Sequence, residues 1–547
     1  MLIAGGTCQD NLGEPGLLWW HDHRFTIAWK GHVYLPGQRA GNESIAALGS
    51  ALALTSLASA APTLCGVFGL FVHDRVAGTW QITVDNAAMY KLFYDDARVS
   101  TSFLELLRAR RTHASDVSTE RLIEFLSHGA VYGPFTLVDG VRKLRAEEVL
   151  ELTADGEMRL HAKRLTDAGE HADIVLERHF AELAHSVGSR QLSVDVTGGF
   201  DTRLIACLLH HKGATFEAAI SGREDAEDVI IARRVADALG APFQLSLHDI
   251  SELEHDLPRT FAAGDGLTDL RRLHRDWQNA RARTARGIEV MSHGGGGAHF
   301  KDFFCLQDIP RYGSRNTNFA RFYDLRVTPV KLAPGILTAQ AASILADLRQ
   351  KTLDSFESYR KPTNNESYDE VAYKLRAPEF YGQYFSNYIN LGMDVVAPFL
   401  DHTCARAAMR LSAWQRFFSA YHRRLITKYC SQLAVLPTTE GYNASAAAKD
   451  LPGNLVGYVH MQARRVAKKA SQRLLGKVMF LQMGAATVDV KGFVDILRQT
   501  SAFATAMLRL KEAGILVPAL SAADVTDIHV GRILTAGMLL DHLERRS

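Results

Sequence analysis

The stretch from Gln191 to Ile205 constrains this chain more than any other. Leu192, Val194 and Val196 alternate with Ser193, Asp195 and Thr197, the period of a strand, and Leu204, Ile205, Leu208 and Leu209 then recur at helical spacing. Gly198 and Gly199 join the two halves. Glycines let a ligand approach the main chain, and the N–H groups of such a turn and of the helix that follows make an anion site. Phosphate or pyrophosphate is the natural occupant. Thr197 and Thr202 add hydroxyl donors, and Asp201 stands where a carboxylate would share a Mg²⁺ held by phosphates. The same pattern also reads as a plain strand, turn and helix with a polar cap.

Downstream the alternation of strand and helix continues. An apolar-striped helix over 170–186 precedes the glycine turn, and Phe216 to Gly222 is a second strand. The acidic run Glu224 to Asp228 then opens a helix in which Ile231, Val235 and Leu239 share a face, with Gly240 as its cap and Phe243 to Leu247 as a third strand. Such alternation implies a parallel sheet whose ligands sit beyond the carboxyl ends of the strands. A further strand pattern, Glu289 to Ser292, runs through His293 into four glycines, Gly294 to Gly297.

Thr197 to Thr202 resembles the SGGxDS pyrophosphate loop of the N-type ATP pyrophosphatases, and the trailing Arg203 resembles the asparagine synthetase branch of that group. The lysine of the kinase and GTPase phosphate loop is absent. The resemblance implies ATP split into AMP and pyrophosphate, with ATP and Mg²⁺ as cofactors. It implies adenine against the backbone of Ile220 and Ser221, with Asp228 near the nucleotide; the run ending at Asp228 also reads as acids favouring a helix N-terminus. Ser292, His293, Gly294 and Gly295 fall where the family has a loop reading approximately SGxGGDE, which closes over pyrophosphate. The acid of that loop falls at Gly297 or Ala298, which leaves the metal one carboxylate short. His293, His299, Lys301 and Asp302 are the residues at hand to compensate, and each histidine also reads as a hydrogen-bonded loop residue.

Two later segments extend the resemblance. Gly392 to His402 is similar to the family's RxPFLDH segment, with Val396 in place of the arginine. His422 to Tyr429, leading to Leu436 and Pro437, is similar to its KxxLRxxxxxxLP region, which aligns Arg424 with the catalytic lysine and Lys428 with the following arginine. A cation there would stabilise charge on an adenylate or on departing pyrophosphate, although an arginine stays protonated and does not serve as a base.

Residues 1–165 read as an α+β layer arrangement, with strands at Trp19-Trp20, Arg24 to Trp29, Trp80 to Val84 and Glu148 to Leu152, and helices near 44–58 and 101–127. The segments Gly66 to Gly69, Val84-Asp85, Leu92 to Tyr94 and Thr101 to Phe103 resemble the middle of the glutaminase-like domain of class B asparagine synthetases. That domain uses a cysteine directly after the initiator methionine, and here position 2 is Leu2. Cys65 reads as a buried strand cysteine, and no NGEIYN segment is present between residues 1 and 100. The resemblance therefore implies a glutaminase scaffold without glutaminase chemistry. The expected architecture is an Ntn-hydrolase-like sandwich over 1–165, an α/β parallel-sheet ATP-pyrophosphatase domain over 166–450 and a helical C-terminal extension over 451–547.

Charge and cysteine usage bound the partners. Lys and Arg total 62 against 60 Asp and Glu, which gives no general argument for nucleic acid. The six cysteines are scattered without C-x-x-C spacing, as suits a reducing cytoplasm. Ser44 to Val72 carries no charge, but Pro62 and many Ser and Thr residues interrupt it, so no transmembrane span is expected. Arg464, Arg465, Lys468, Lys469, Arg473 and Lys477 make a basic helix over 459–477, which suits either a solvated face or peripheral contact with an anionic surface.

The expected activity is amide synthesis through an acyl-adenylate. Ammonia, a substrate amine or a partner glutaminase would supply the nitrogen to a small-molecule or peptide carboxylate. Amidation of a uronic-acid sugar in polysaccharide synthesis and intramolecular lactam closure both fit, and so does a nucleotide-binding scaffold with weakened catalysis.

Overall fold

The computed structural model describes residues 1–4, 7–9, 14–167, 169–301, 303–304, 312–475 and 490–545. Asp302 and Lys477 lie outside them, as do the side chains of Arg465, Lys468, Lys469 and Arg473, so the basic stripe expected over 459–477 is largely outside the described residues.

Two antiparallel sheets form the first part of the chain. One has the order β2-β1-β8-β7-β9, from β1 (Leu2–Ala4), β2 (Thr7–Gln9), β7 (Phe93–Tyr94), β8 (Arg98–Ser100) and β9 (Arg142–Lys143). The other has the order β11-β10-β6-β5-β4-β3, from β3 (Leu17–His21), β4 (Phe25–Tyr34), β5 (Cys65–Asp74), β6 (Thr79–Val84), β10 (Glu148–Leu152) and β11 (Met158–Ala162). β4 and β5 pair from Phe25↔Asp74 to Tyr34↔Cys65. Alternation decides which face each residue of β4 serves. Ile27 and Trp29 pack under helix α1 (Asn42–Leu52) with Ile45 and Leu48, while Ala28 joins Phe71 and Ile82 on the opposite face.

The single helix expected over 101–127 is two, α2 (Phe103–Arg110) and α3 (Thr119–His128). Arg111 adopts a left-handed conformation, φ 58°, and stops α2 where the apolar pattern alone would have continued it. Likewise the helix expected near 44–58 ends at Leu52, with only a short turn of helix at Leu57–Ala60.

After α4 (Ala172–Val187) come the five parallel strands β12 (Leu192–Asp195), β13 (Glu217–Ser221), β14 (Phe243–Ser246), β15 (Val290–Ser292) and β16 (Asp394–Val396), in the order β14-β13-β12-β15-β16. The connecting helices include α5 (Phe200–His211), α6 (Glu227–Leu239), α7 (Leu270–Ala285) and α8 (Gln383–Asn390), and α9 (Ala420–Tyr429), α10 (Leu451–Leu475), α11 (Ser501–Glu512) and α12 (Asp527–Glu544) follow. Gly240 caps α6 with φ 64°.

The hydrophobic cores cross the boundaries expected at 165 and 450. One joins Phe71 and Ile82 to Met291, Tyr388 and Val395, and another joins Phe103 and Leu122 to Leu257, Leu273, Val530 and Leu534. Among the described residues no helix is long and apolar enough to cross a membrane.

Candidate functional site

Strand order locates the crevice. From β12 the chain moves outward through β13 and β14, then returns to the other side of β12 as β15 and β16. The order therefore reverses between β12 and β15, and the crevice beyond their carboxyl ends is where ligands of such sheets bind. The two loops that leave these strand ends are the two glycine loops. A cavity of about 380 Å³ is lined by Thr197, Gly199, Asp201 and Thr202 from the first and by His293, Gly294 and Gly295 from the second. Ile220, Ser221 and Asp228 complete the wall from β13 and α6. The loops touch closely: a Cβ on Gly294 would lie 2.6 Å from Cγ2 of Thr202.

The first loop is held by its own hydroxyls. Thr197 N–H donates to Oγ1 of Thr202 at 3.0 Å, and Gly199 N–H donates to Oγ1 of Thr197 at 3.3 Å. Gly198 N–H donates to Oδ1 of Asp228 at 2.9 Å, so Asp228 fixes the glycine pair from the neighbouring helix. Helix α5 starts at Gly199 with no side chain capping it, which leaves its N-terminal dipole and N–H groups open toward an anion.

Asp201 is the charged centre of this loop. Oδ1 of Asp201 lies 2.9 Å from Nζ of Lys301 and 3.0 Å from Nε2 of His422. Burial opposes ionisation of Asp201, but Lys301 and His422 outweigh it and hold the carboxyl at about 2. Burial pushes the His422 imidazole down, and Asp201 and Glu440 lift Lys301 against its own burial. Gly297 packs directly on the same carboxylate, where a Cβ would lie 2.3 Å from Cγ of Asp201. These residues do not fit the expected Mg²⁺. A hard cation takes several oxygen ligands, whereas the four carboxylates that line the cavity are each engaged: Asp201 faces two nitrogen groups, Asp195 pairs with Arg283, Asp276 lies 3.6 Å from Arg275, Asp228 accepts from Gly198 N–H, and Gly297, one of the two positions expected for a second acid, has no room.

Several of the expected residues lie away from the cavity or have other partners. Arg424 and Lys428 face away from the cavity on the exposed side of α9, where Arg424 forms a two-pronged ion pair with Asp173 at 2.6 and 2.8 Å and Lys428 donates to Tyr429. The side chain that α9 delivers to Asp201 is His422 instead. Helical periodicity carries the reason: Tyr421, His422, Leu425 and Ile426 form the buried face, and positions 424 and 428 lie on the other. Arg203 is fully buried and donates to the carbonyls of Leu433, Leu436 and Pro437 at 3.2, 2.9 and 2.6 Å. It therefore straps α5 to the turn at Leu436-Pro437, and burial lowers its guanidinium to about 10.

His293 stands in the second glycine loop on the cavity wall. Its Nδ1 accepts from Gly295 N–H at 2.9 Å, its own N–H donates to the carbonyl of Val396 at 3.0 Å, and burial among Tyr381, Tyr384 and Phe385 lowers its affinity for a proton. Ser292 is buried at the end of β15, and its Oγ has no hydrogen-bond partner among the described residues. His299 faces Asp369 at 3.4 Å, away from Asp201. Cys65 pairs across from Tyr34 in β5 and is half-buried rather than fully buried, and desolvation pushes its thiol well up.

The structure adds wall residues that motif spacing misses. Arg275, Asn279 and Arg283 of α7 line the cavity, as do Tyr381, Tyr384 and Tyr388. Arg283 ion-pairs with Asp195 and donates to Oγ of Ser193 at 3.1 Å. The i, i+4, i+8 spacing of the three polar α7 residues is the signal that would have found them. A scan against models of known protein families finds no match to this chain, and a search of the curated proteins finds none either.

Proposed function

We propose that this protein binds ATP at the switch point of its parallel sheet and uses it to adenylate a carboxylate, which an amine then converts into an amide. The observation that carries this reading is the convergence of the two glycine loops, with Ile220 and Ser221, on one cavity at the carboxyl ends of β12 and β15. The resemblance to the asparagine synthetase family points the same way.

In this reading adenine lies against the backbone of Ile220 and Ser221, and the phosphates lie at the uncapped start of α5. A carboxylate oxygen attacks the α-phosphorus; the bond to the bridging oxygen breaks, and pyrophosphate departs with the electron pair. The amine nitrogen then bonds to the acyl carbon, AMP leaves with its oxygen, and the nitrogen loses a proton. Lys301 supplies positive charge beside the departing pyrophosphate, which is electrostatic catalysis. In this reading the nitrogen comes from ammonia, a substrate amine or a separate glutaminase. Amidation of a uronic-acid sugar in the cytoplasm is the preferred outlet and intramolecular lactam formation the alternative.

A nucleotide-binding scaffold is the second reading. It is favoured by the outward placement of Arg424 and Lys428, which leaves the cavity without the family's catalytic pair. Calorimetric titration with ATP tests what both readings share. Binding weakened at least tenfold by Lys301→Ala, with circular dichroism unchanged, supports a nucleotide site, and no heat with the natural chain overturns it.

A further inference from the structure

A second cavity, of about 200 Å³, adjoins the nucleotide cavity, and Asp276 and Tyr384 line both. Its wall carries Lys143, Arg271, Arg272, Arg326, Arg376 and Arg532, drawn from distant parts of the chain. Among the described residues three carboxylates line the same wall, Asp269, Asp276 and Glu379. Glu379 already holds Lys143 at 2.6 Å, and Asp269 lies 3.6 Å from Arg271. Asp276 lies 3.6 Å from Arg275, and burial raises its carboxyl toward the neutral form.

The balance is therefore positive, and specific guanidiniums carry the excess. Among the described residues, Arg272, Arg376 and Arg532 have no carboxylate within 4.0 Å. Arg272 and Arg376 each stand 4.5 Å from the centre of the Phe380 ring, which gathers two like charges on one aromatic side chain. Arg532 is only 8% exposed, is pinned by the carbonyls of Leu126 and Ser127, and has an Nε with no hydrogen-bond partner. Of the three only Arg532 is buried, where a cation with no carboxylate in contact is costly, and the planar guanidiniums of all three match carboxylate or phosphate oxygens.

We propose that this chamber holds the acceptor through an anionic group other than the carboxylate that is adenylated, so the acceptor is an organic anion with at least two negative charges. The link to amide synthesis rests on the adenylation reading, but binding of the anion does not. A volume of about 200 Å³ suits a small acid or a single sugar unit, and the shared lining at Asp276 and Tyr384 sets it next to the nucleotide cavity.

The test is calorimetry without ATP, using glucuronate 1-phosphate, citrate and glucose as probes. The proposal expects at least one of the two anions to bind, glucose not to bind, and the double variant Arg272→Ala/Arg376→Ala to lose at least tenfold in affinity for the anion. Arg272 is exposed and Arg376 half-buried, so the variant should fold, and Arg272→Lys/Arg376→Lys should recover part of the loss. Binding of glucuronate 1-phosphate alone identifies a phosphate-bearing acceptor, and binding of both anions identifies a polyacid. No binding by either anion, or equal binding by the double variant, overturns the chamber. ATP titrated separately keeps the two readings apart: an anion site that persists when ATP gives no heat leaves the chamber standing and removes the ligase reading.

Discussion

Lys301 places its ammonium 2.9 Å from the Asp201 carboxylate, at the position where the family resemblance implies a metal ion. A side-chain cation thus occupies the electrostatic role next to the loop after β12. ATP affinity should then change by less than threefold when Mg²⁺ is removed with EDTA, and Lys301→Ala should weaken binding at least tenfold. Fluorescence titration with a labelled ATP analogue measures both, and complete loss of binding in EDTA would contradict the assignment.

Gly297 is the complementary half of that arrangement. Restoring an acid with Gly297→Asp would drive a Cβ to 2.3 Å from Cγ of Asp201 and set two carboxylates together. Overpacking of this kind costs about 1–3 kcal/mol before the charge repulsion is added. The expected result is a lower urea midpoint at neutral pH, partly recovered in the double variant with Asp201→Asn.

How much of this was legible in the chain depends on the length of each pattern. The strand, turn and helix around Gly198 and the strands through Ser221 and Ser246 declare themselves by period and glycine placement, and they lie as expected. β16 is three residues long, too short for any period, so the fifth strand was not foreseen. Arg424 was chosen by motif alignment, yet the apolar face of α9 already assigns position 422 to the interior, so pattern and motif conflicted and packing decided. The basic second cavity was not legible at all, because its arginines converge from four separate segments, at 271–272, 326, 376 and 532.

Arg203 offers a stability test. Arg203→Ala removes one side chain and leaves the carbonyls of Leu433, Leu436 and Pro437 without their donor. The bond to Leu433 is buried and the other two are part-buried, so with about 1–3 kcal/mol for one unmet buried acceptor a loss of about 1–3 kcal/mol is expected by chemical denaturation. Arg203→Lys should recover less than half, because one ammonium cannot reproduce the planar fork.

Lys163 gives a pH signature. Its Nζ is buried, donates to Oγ1 of Thr83 at 3.2 Å and to the carbonyl of Val84 at 2.7 Å, and burial lowers it from 10.5 to about 7. Between those values the unfolded chain binds a proton that the folded chain does not, so the contribution of this group to stability rises with pH through that window. Lys163→Met should therefore be more stable than the natural chain at pH 6.5, with the advantage shrinking by pH 9.5. An advantage that stays constant across urea melts at both values would show that the lysine does not titrate.

The central claim is that the paired glycine loops hold ATP for adenylation of a carboxylate. AMP release from ATP by the purified protein, with ammonia and pooled small carboxylates and uronic acids, tests it most directly, beside Asp201→Ala. AMP and pyrophosphate are expected in equal amounts from the natural chain and at least a hundredfold less from the variant. ADP and phosphate as products, or AMP formed equally well by Asp201→Ala, would contradict it.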